Sequence, residues 1–516
     1  MFFKIDSFAL AGIDAIKVSV EVHISNGLPS FTIVGLPDKA VSESRQRVRA
    51  AIINSGFKFP MKRIIVNLSP ADIKKEGAFY DLPIALSILA VSRQISSKLF
   101  DMSCFIGELS LDGNINPIKG IISMTEKAVS IGENYFFVPQ KIAHQASLIK
   151  NINIVPGRNL NEVVKILCNS SDLEKYVYKS NGNKILYSNN CYNYDFEDVK
   201  GQLKAKRALE IAVSGMHNIM LIGPPGAGKT MLAQRAITIM PQLSLPECIE
   251  VTKIYSLYKK YSGELIQKRP FRNPHHTISR IGLIGGGKNP KPGAISLSHR
   301  GVLFLDEFSQ FPKNLIEDLR QPLENKRVVI TRNNASYCFP CSFMLIVATN
   351  PCYCGYFGDD KKKCVCSFRE IRKFWKNLSG PIVDRIDMRV NVPRLKENDF
   401  IDANPGESSL EIKKRVRRCI EIQQKRYKGK KIKYNSESGS RMVNHWLEDN
   451  KEVRNLLSKI SEKYNLTARG MVSILKVAQT IADLDESEII RNQHLLEALQ
   501  YRVNYDFSSL GYGKYK

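Results

Sequence analysis

No stretch of this sequence approaches the roughly 20 consecutive apolar residues that a membrane-crossing helix requires, so no membrane partner is expected. The opening run Met1-Phe2-Phe3-Lys4-Ile5-Asp6 meets charge within two turns and lacks the long apolar core of a secretion signal. Acidic side chains are scarce: 50 Asp and Glu stand against 76 Lys and Arg, for a formal net charge of +26. The deficit is deepest in residues 171–400, where 35 basic groups face 21 acidic ones. Such a field attracts polyanions, nucleic acid first among them, although a lysine-rich solvated surface would give the same balance. Apolar residues at 43% and charged residues at 24% describe a globular rather than a disordered chain. At 516 residues it is too long for one core. Eleven cysteines without a signal segment predict reduced thiols and a cytoplasmic setting.

The pattern along the chain predicts an α/β protein in four parts. Residues 1–168 mix strand-like alternation (Val18–Ile24, Ser30–Val34, Arg63–Leu68) with helical spacing in Val41–Asn54, the mark of an α+β domain. Residues 169–194 are polar and read as a linker. Residues 195–395 alternate apolar strands and helices as a parallel sheet requires, and residues 396–516 are helical. In that last part Ile412, Val416, Cys419, Ile420 and Gln423 trace one face. Lys413, Lys414, Arg415, Arg417 and Arg418 occupy the others, where plain solvation is the ordinary reading and a DNA-contacting face the minority one.

The buried-strand candidate His217–Ile222 runs into Gly223-Pro224-Pro225-Gly226-Ala227-Gly228-Lys229-Thr230 and then into a helical run. Strand, glycine loop and helix together make a phosphate cradle: backbone N–H groups converge on an anion at a helix N-terminus. Lys229 adds a point charge for the terminal phosphates of ATP, and Thr230 a hydroxyl for Mg²⁺. A second strand, Val302–Leu305, ends in Asp306 and Glu307, which suit a Mg²⁺ ligand and a group that polarises water. A third, Phe343–Thr349, ends in Asn350, whose neutral amide suits orientation of the lytic water.

These residues resemble the AAA+ superfamily. The runs Pro270–Thr277, Gly285–Gly287, Pro292–Leu297, Asn350–Gly355, Ser379–Asp387 and Leu475–Leu484 narrow the resemblance to the YifB/ComM family of magnesium-chelatase-like ATPases. It covers nearly the whole chain. The resemblance implies an AAA+ core with a helical lid, a ring of subunits, a hexamer by expectation, and DNA as substrate. It further implies branch-migration helicase activity on recombination intermediates, used by some relatives in natural transformation. It places an arginine finger at Arg385 and the lid's sensor arginine at Arg469. It likens residues 1–168 to a Lon-protease-type domain in which Phe79 and Ile122 stand where a serine nucleophile and its lysine partner would be. Without those groups no covalent hydrolysis follows, so a scaffold or DNA-gripping role is expected. The chain departs from the family at Ala294, where glutamate is usual, and at Gln479, where arginine is common. The rival reading is a magnesium-chelatase-like ATPase that remodels a protein partner.

Cys352, Cys354, Cys364 and Cys366 form two C-x-C pairs separated by nine residues, and four thiolates suit a structural Zn²⁺. Cys338 and Cys341 are expected to be ordinary buried thiols. Adjacent His275 and His276 would point to opposite faces of a strand, a poor arrangement for holding one metal; a place near DNA or at a subunit contact is expected for them. The candidate hairpin at Val328–Asn334 is expected either to enter a ring pore or to be a plain edge hairpin.

Overall fold

The computed structural model describes residues 1–96, 98–169, 173–179, 192–258, 264–287, 290–332, 335–378, 380–395, 406–448 and 450–503. Two compact units emerge. The first comprises Met1–Ser188, Leu245–Ile266 and Thr331–Phe339; the second comprises Asn189–Ser244, Gln267–Ile330 and Pro340–Lys516. Most of the expected linker (170–172 and 180–191) and the stretch 396–405, where the lid was expected to begin, lie outside the described residues.

In the first unit, strands β1 (Phe2–Ala11), β2 (Asp14–Ser25), β3 (Ser30–Val34), β4 (Arg63–Ser69), β5 (Ser103–Phe105), β6 (Tyr135–Pro139) and β7 (Asn153–Gly157) form one sheet in the order β3-β4-β2-β1-β5-β6-β7. The alternation in β2 has its expected cause: Val18, Val20, Val22 and Ile24 are buried while the side chains between them are not. Helix Lys39–Asn54 starts at Asp38, whose carboxylate accepts the Val41 N–H at 2.8 Å, and it buries Val41, Val48, Ala51 and Ile52. Helix Asp81–Val91 is apolar nearly all round and almost wholly buried. Its first residue, Asp81, is fully buried and receives Arg47 Nε at 2.7 Å and Arg47 Nη2 at 3.2 Å. Ile122 is buried in an apolar cluster and half-buried Phe79 packs against it, so both positions are hydrophobic in their surroundings.

The second unit is built on a five-stranded parallel sheet: β8 (Ile219–Ile222), β9 (Phe271–Arg272), β10 (Val302–Leu305), β11 (Met344–Thr349) and β12 (Met388–Asn391), in the order β9-β10-β11-β8-β12. Every residue of β8, β10 and β11 is buried, as a sheet covered on both faces demands. The register sets Ile222 beside Thr349 and Leu305 beside Val347, so β8 and β11 end level and β10 ends two residues earlier, at the same edge of the sheet. Helices Ser409–Arg426, Ser440–Glu448, Lys451–Tyr464, Ala468–Leu484 and Asn492–Val503 follow. The first of these buries Ile412, Val416, Cys419, Ile420 and Gln423, the predicted face. On its other faces Arg415 pairs with Glu210 and Glu407, Arg417 with Glu421, and Arg418 with Glu486. Those arginines are engaged with carboxylates, which favours the solvated reading over the DNA-contacting one.

Cys338 departs from expectation. It is exposed on the strand Ala335–Pro340, where alternation turns it outward, whereas Cys341 just beyond is buried. That strand pairs with Arg327–Arg332 as the expected hairpin, whose tip at 333–334 lies outside the described residues.

Removal of the Arg47 side chain strands a buried carboxylate. Arg47→Met should therefore cost about 3–5 kcal/mol, read as a lowered denaturant midpoint, and the added change Asp81→Leu should recover most of it.

Candidate nucleotide site

The glycines of the loop after β8 serve two different needs. At Gly226 and Gly228 the backbone is left-handed, with φ of 76° and 87°, and an added Cβ would meet nothing within 4 Å. Glycine is needed there for conformation. At Gly223 a Cβ would lie 2.1 Å from the Val392 carbonyl oxygen, so the requirement is space. Gly228 caps helix Lys229–Ile239, whose first N–H groups open onto a cleft of about 750 Å³.

Lys229 is 9% exposed, and its ammonium donates to the carbonyls of Gly223 at 2.6 Å and Pro224 at 2.9 Å and to Asn350 Oδ1 at 3.2 Å. Burial lowers its pKa to about 8, against the opposing pull of Asp306 and Glu307. The Thr230 hydroxyl donates to Asp306 Oδ2 at 2.6 Å. A hydroxyl and a carboxylate side by side are hard oxygen donors, the type Mg²⁺ takes, so the residues fit that ion. Glu307 follows with φ of 48°, an uncommon left-handed setting for a residue with a side chain, and its own N–H donates to Asp306 Oδ1 at 2.9 Å. Its carboxylate faces outward into the cleft, 60% exposed.

The structure thus draws Gly226, Ala227, Gly228, Lys229, Thr230, Asp306, Glu307 and Asn350 together, with Pro225, around one cleft. Sequence reasoning missed the far wall. Asn273, Pro274, His275 and His276 also line it. The histidines stand in the loop and turn after β9 rather than on a strand, so their rings lie together with centroids 4.1 Å apart, and His276 Nδ1 is 3.5 Å from Glu307 Oε2. The available signal was their position just past a short strand, where a parallel sheet collects its ligand-facing loops.

Arg385 and Arg469 do not line this cleft. They meet at a second one of about 710 Å³, where both bind Glu324 Oε1, Arg385 through Nε at 3.0 Å and Arg469 through Nη2 at 3.1 Å. Sequence proximity alone would make Asp384 or Asp387 the expected ion-pair partner of Arg385, and the structure sets Glu324 against it. Arg385, more than Arg469, lowers the pKa of that carboxyl.

The four cysteines expected to suit a metal converge. Sγ separations are 3.3 Å for Cys352–Cys354, 3.6 Å for Cys352–Cys364 and 3.5 Å for Cys354–Cys364, and all four sulfurs lie within 4.8 Å of one another. The Cys354 N–H donates to Cys366 Sγ at 3.3 Å. Burial resists ionisation of Cys354, but the N–H groups of Tyr356 and Val365 and the thiols of Cys352 and Cys364 prevail and bring its pKa to about 6.

Comparison with known proteins extends these observations over the chain. Residues 195–400 match the family described as "Magnesium chelatase, subunit ChlI", residues 20–142 "Subunit ChlI of Mg-chelatase", and residues 406–502 "Magnesium chelatase, subunit ChlI C-terminal". YifB of Escherichia coli (strain K12) is 39% identical over 511 residues, and "Competence protein ComM" of Haemophilus influenzae is 39% identical over 499 residues; each alignment covers 96% of both chains. "Lon protease 2" of Bacillus subtilis is 27% identical over 143 residues, 26% of either chain.

The lowered Lys229 pKa gives nucleotide binding a pH signature. The ammonium is present below about pH 8 and lost above it, so ADP affinity should hold steady from pH 6.5 to 7.5, on the order of one unit below that value, and weaken progressively toward pH 9. Titration of bound ADP across this range is the check, and Lys229→Ala should abolish the dependence together with most of the binding.

Proposed function

Because this chain belongs to the YifB/ComM family of magnesium-chelatase-like ATPases, we propose that it is an ATP-driven ring motor on DNA, a branch-migration helicase acting on recombination intermediates. The observation that carries the ATPase part is the meeting of Lys229, Thr230, Asp306, Glu307 and Asn350 at three adjacent strand ends. In this reading the loop N–H groups and Lys229 hold the phosphates, and Thr230 and Asp306 would hold Mg²⁺. That ion, when bound, neutralises charge on the terminal phosphate oxygens. Glu307 and Asn350 orient the attacking water, with Glu307 as proton acceptor. His276 stands beside Glu307 and steadies its carboxylate.

The second cleft supports a ring. Arg385 and Arg469 sit on one carboxylate away from Lys229, and from there they serve the nucleotide of an adjoining subunit, stabilising charge on the departing phosphoryl group. DNA as the substrate rests on the +26 net charge and on a near-full-length relative named a competence protein. The N-terminal unit is read as a Lon-like scaffold without a hydrolytic pair, and the four thiols as a structural Zn²⁺ site. A cytoplasmic setting, where thiols stay reduced, belongs to the same reading. The rival, remodelling of a protein partner, would need hydrolysis but no DNA.

Three outcomes follow. Arg385→Ala should lower turnover by about 10³-fold while leaving ADP binding in place. Mixing that variant with the equally inactive Lys229→Ala should restore measurable turnover, because a Lys229→Ala subunit still lends its arginine to a neighbour; no recovery would place both groups in one chain's site. DNA affinity should be independent of sequence and fall by about 10³-fold or more between 50 and 200 mM salt. A purified protein whose ATPase ignores DNA and whose DNA binding is absent at the lower salt would sink the motor and leave the remodeller.

A further inference from the structure

The four-cysteine cluster is not an isolated staple. Cys352 follows Asn350 by two residues, so the chain leaves the nucleotide cleft and enters the thiol cluster within Asn350-Pro351-Cys352. Beyond Cys354 the chain turns at Gly355, whose N–H donates to the Cys352 carbonyl at 3.1 Å and whose φ is 86°. Gly355 lies flat on the phosphate loop: a Cβ there would come 2.9 Å from Pro225 Cδ and 3.7 Å from the Asn350 amide nitrogen. Tyr356 continues the contact, because Arg394 lies over its ring at 5.9 Å and donates to the Pro225 carbonyl at 3.5 Å. On its outer side the knuckle is pinned by Trp375 Nε1, which donates to the Pro351 carbonyl at 3.0 Å. It is pinned again by Asn377, whose amide donates to the Tyr353 hydroxyl at 3.1 Å. The helix that carries both begins at Ser367, directly after Cys366, with a capping box to Glu370.

The sulfur spacing comes close to that of a tetrahedral zinc site. A tetrahedron with Zn–S bonds of about 2.3 Å has edges of about 3.8 Å, and three observed separations run from 3.3 to 3.6 Å. We propose that zinc at Cys352, Cys354, Cys364 and Cys366 acts as a positioning element for the nucleotide site, holding Gly355 against Pro225 and fixing Asn350 beside Lys229. This rests on the zinc reading above and adds a consequence to it. With the metal bound, the phosphate loop has a rigid back wall and the Asn350 amide keeps its contact with the ammonium. With the metal removed or the thiols oxidised, the strand end at Thr349 is released on its outgoing side, and the loop loses the surface under Pro225. The ATPase is then zinc-dependent although no zinc ligand touches nucleotide.

Metal analysis of the purified full-length protein is the first measurement, and about one zinc per chain is expected. Chelator extraction from the intact protein should free four thiols and weaken ADP binding by about tenfold, the loss typical of a loosened supporting shell. Zinc added back under reducing conditions should restore affinity. Cys364→Ser should lower zinc content and affinity together. Gly355→Ala should keep its zinc and still weaken ADP, since its Cβ and strained backbone push on Pro225 directly. A protein that carries no zinc and takes none up overturns the metal reading itself. Full extraction with ADP affinity within about twofold of the starting value overturns the coupling and leaves the metal as a staple only.

Discussion

Everything at the nucleotide site depends on one constraint, the parallel register of three neighbouring buried strands. Because β8, β10 and β11 run in the same direction and end within two residues of one another, the chain must deliver a lysine-bearing loop, an acidic pair and a carboxamide to the same edge of the sheet. The Thr230–Asp306 hydrogen bond and the Lys229–Asn350 contact then close the arrangement from both sides. These polar groups sit on strands that are fully buried and apolar except for Thr349 at the end of β11. Each large aliphatic side chain in them contributes about 1.5–3 kcal/mol by burial. That apolar support keeps Lys229 where desolvation lowers its pKa.

Electrostatics divide the molecule differently from the count of charges. The basic excess is large, yet much of the arginine on the helix Ser409–Arg426 is bound to carboxylates of its own unit. Net charge therefore describes the far field and its pull on a polyanion, while the near field at any one arginine is set by its partner. The same distinction governs Arg385, whose local field is set by Glu324, 61 residues away in the chain.

The phosphate loop, Asp306, Glu307 and Asn350 were legible because each is a strand followed at once by a chemically marked residue, a local signal that needs no tertiary knowledge. The buried face of Ser409–Arg426 was legible from its spacing for the same reason. His275 and His276 were not, since β9 is only two residues long and leaves no alternation to read; adjacency suggested opposed faces where a loop brings the tilted rings together. Glu324 escaped notice because it lies 61 residues from Arg385 and 145 from Arg469. Nothing in its neighbourhood marks it. The thiol convergence could be read from spacing, but the contact of Gly355 with Pro225 joins two segments through shape alone, and shape is absent from a sequence.

The meeting of Arg385 and Arg469 on Glu324 leaves an imbalance. Among the described residues lining that cleft, five cationic side chains, Arg385, Arg469, Lys326, Lys431 and Lys476, stand with four carboxylates, Glu324, Asp384, Asp387 and Glu437. One carboxylate oxygen shared by two forks holds them less firmly than an oxyanion of higher valence, which can engage both planes at once. Glu324 is thus a weak incumbent, strong enough to keep the two planes converged and too weak to keep them from a more highly charged guest.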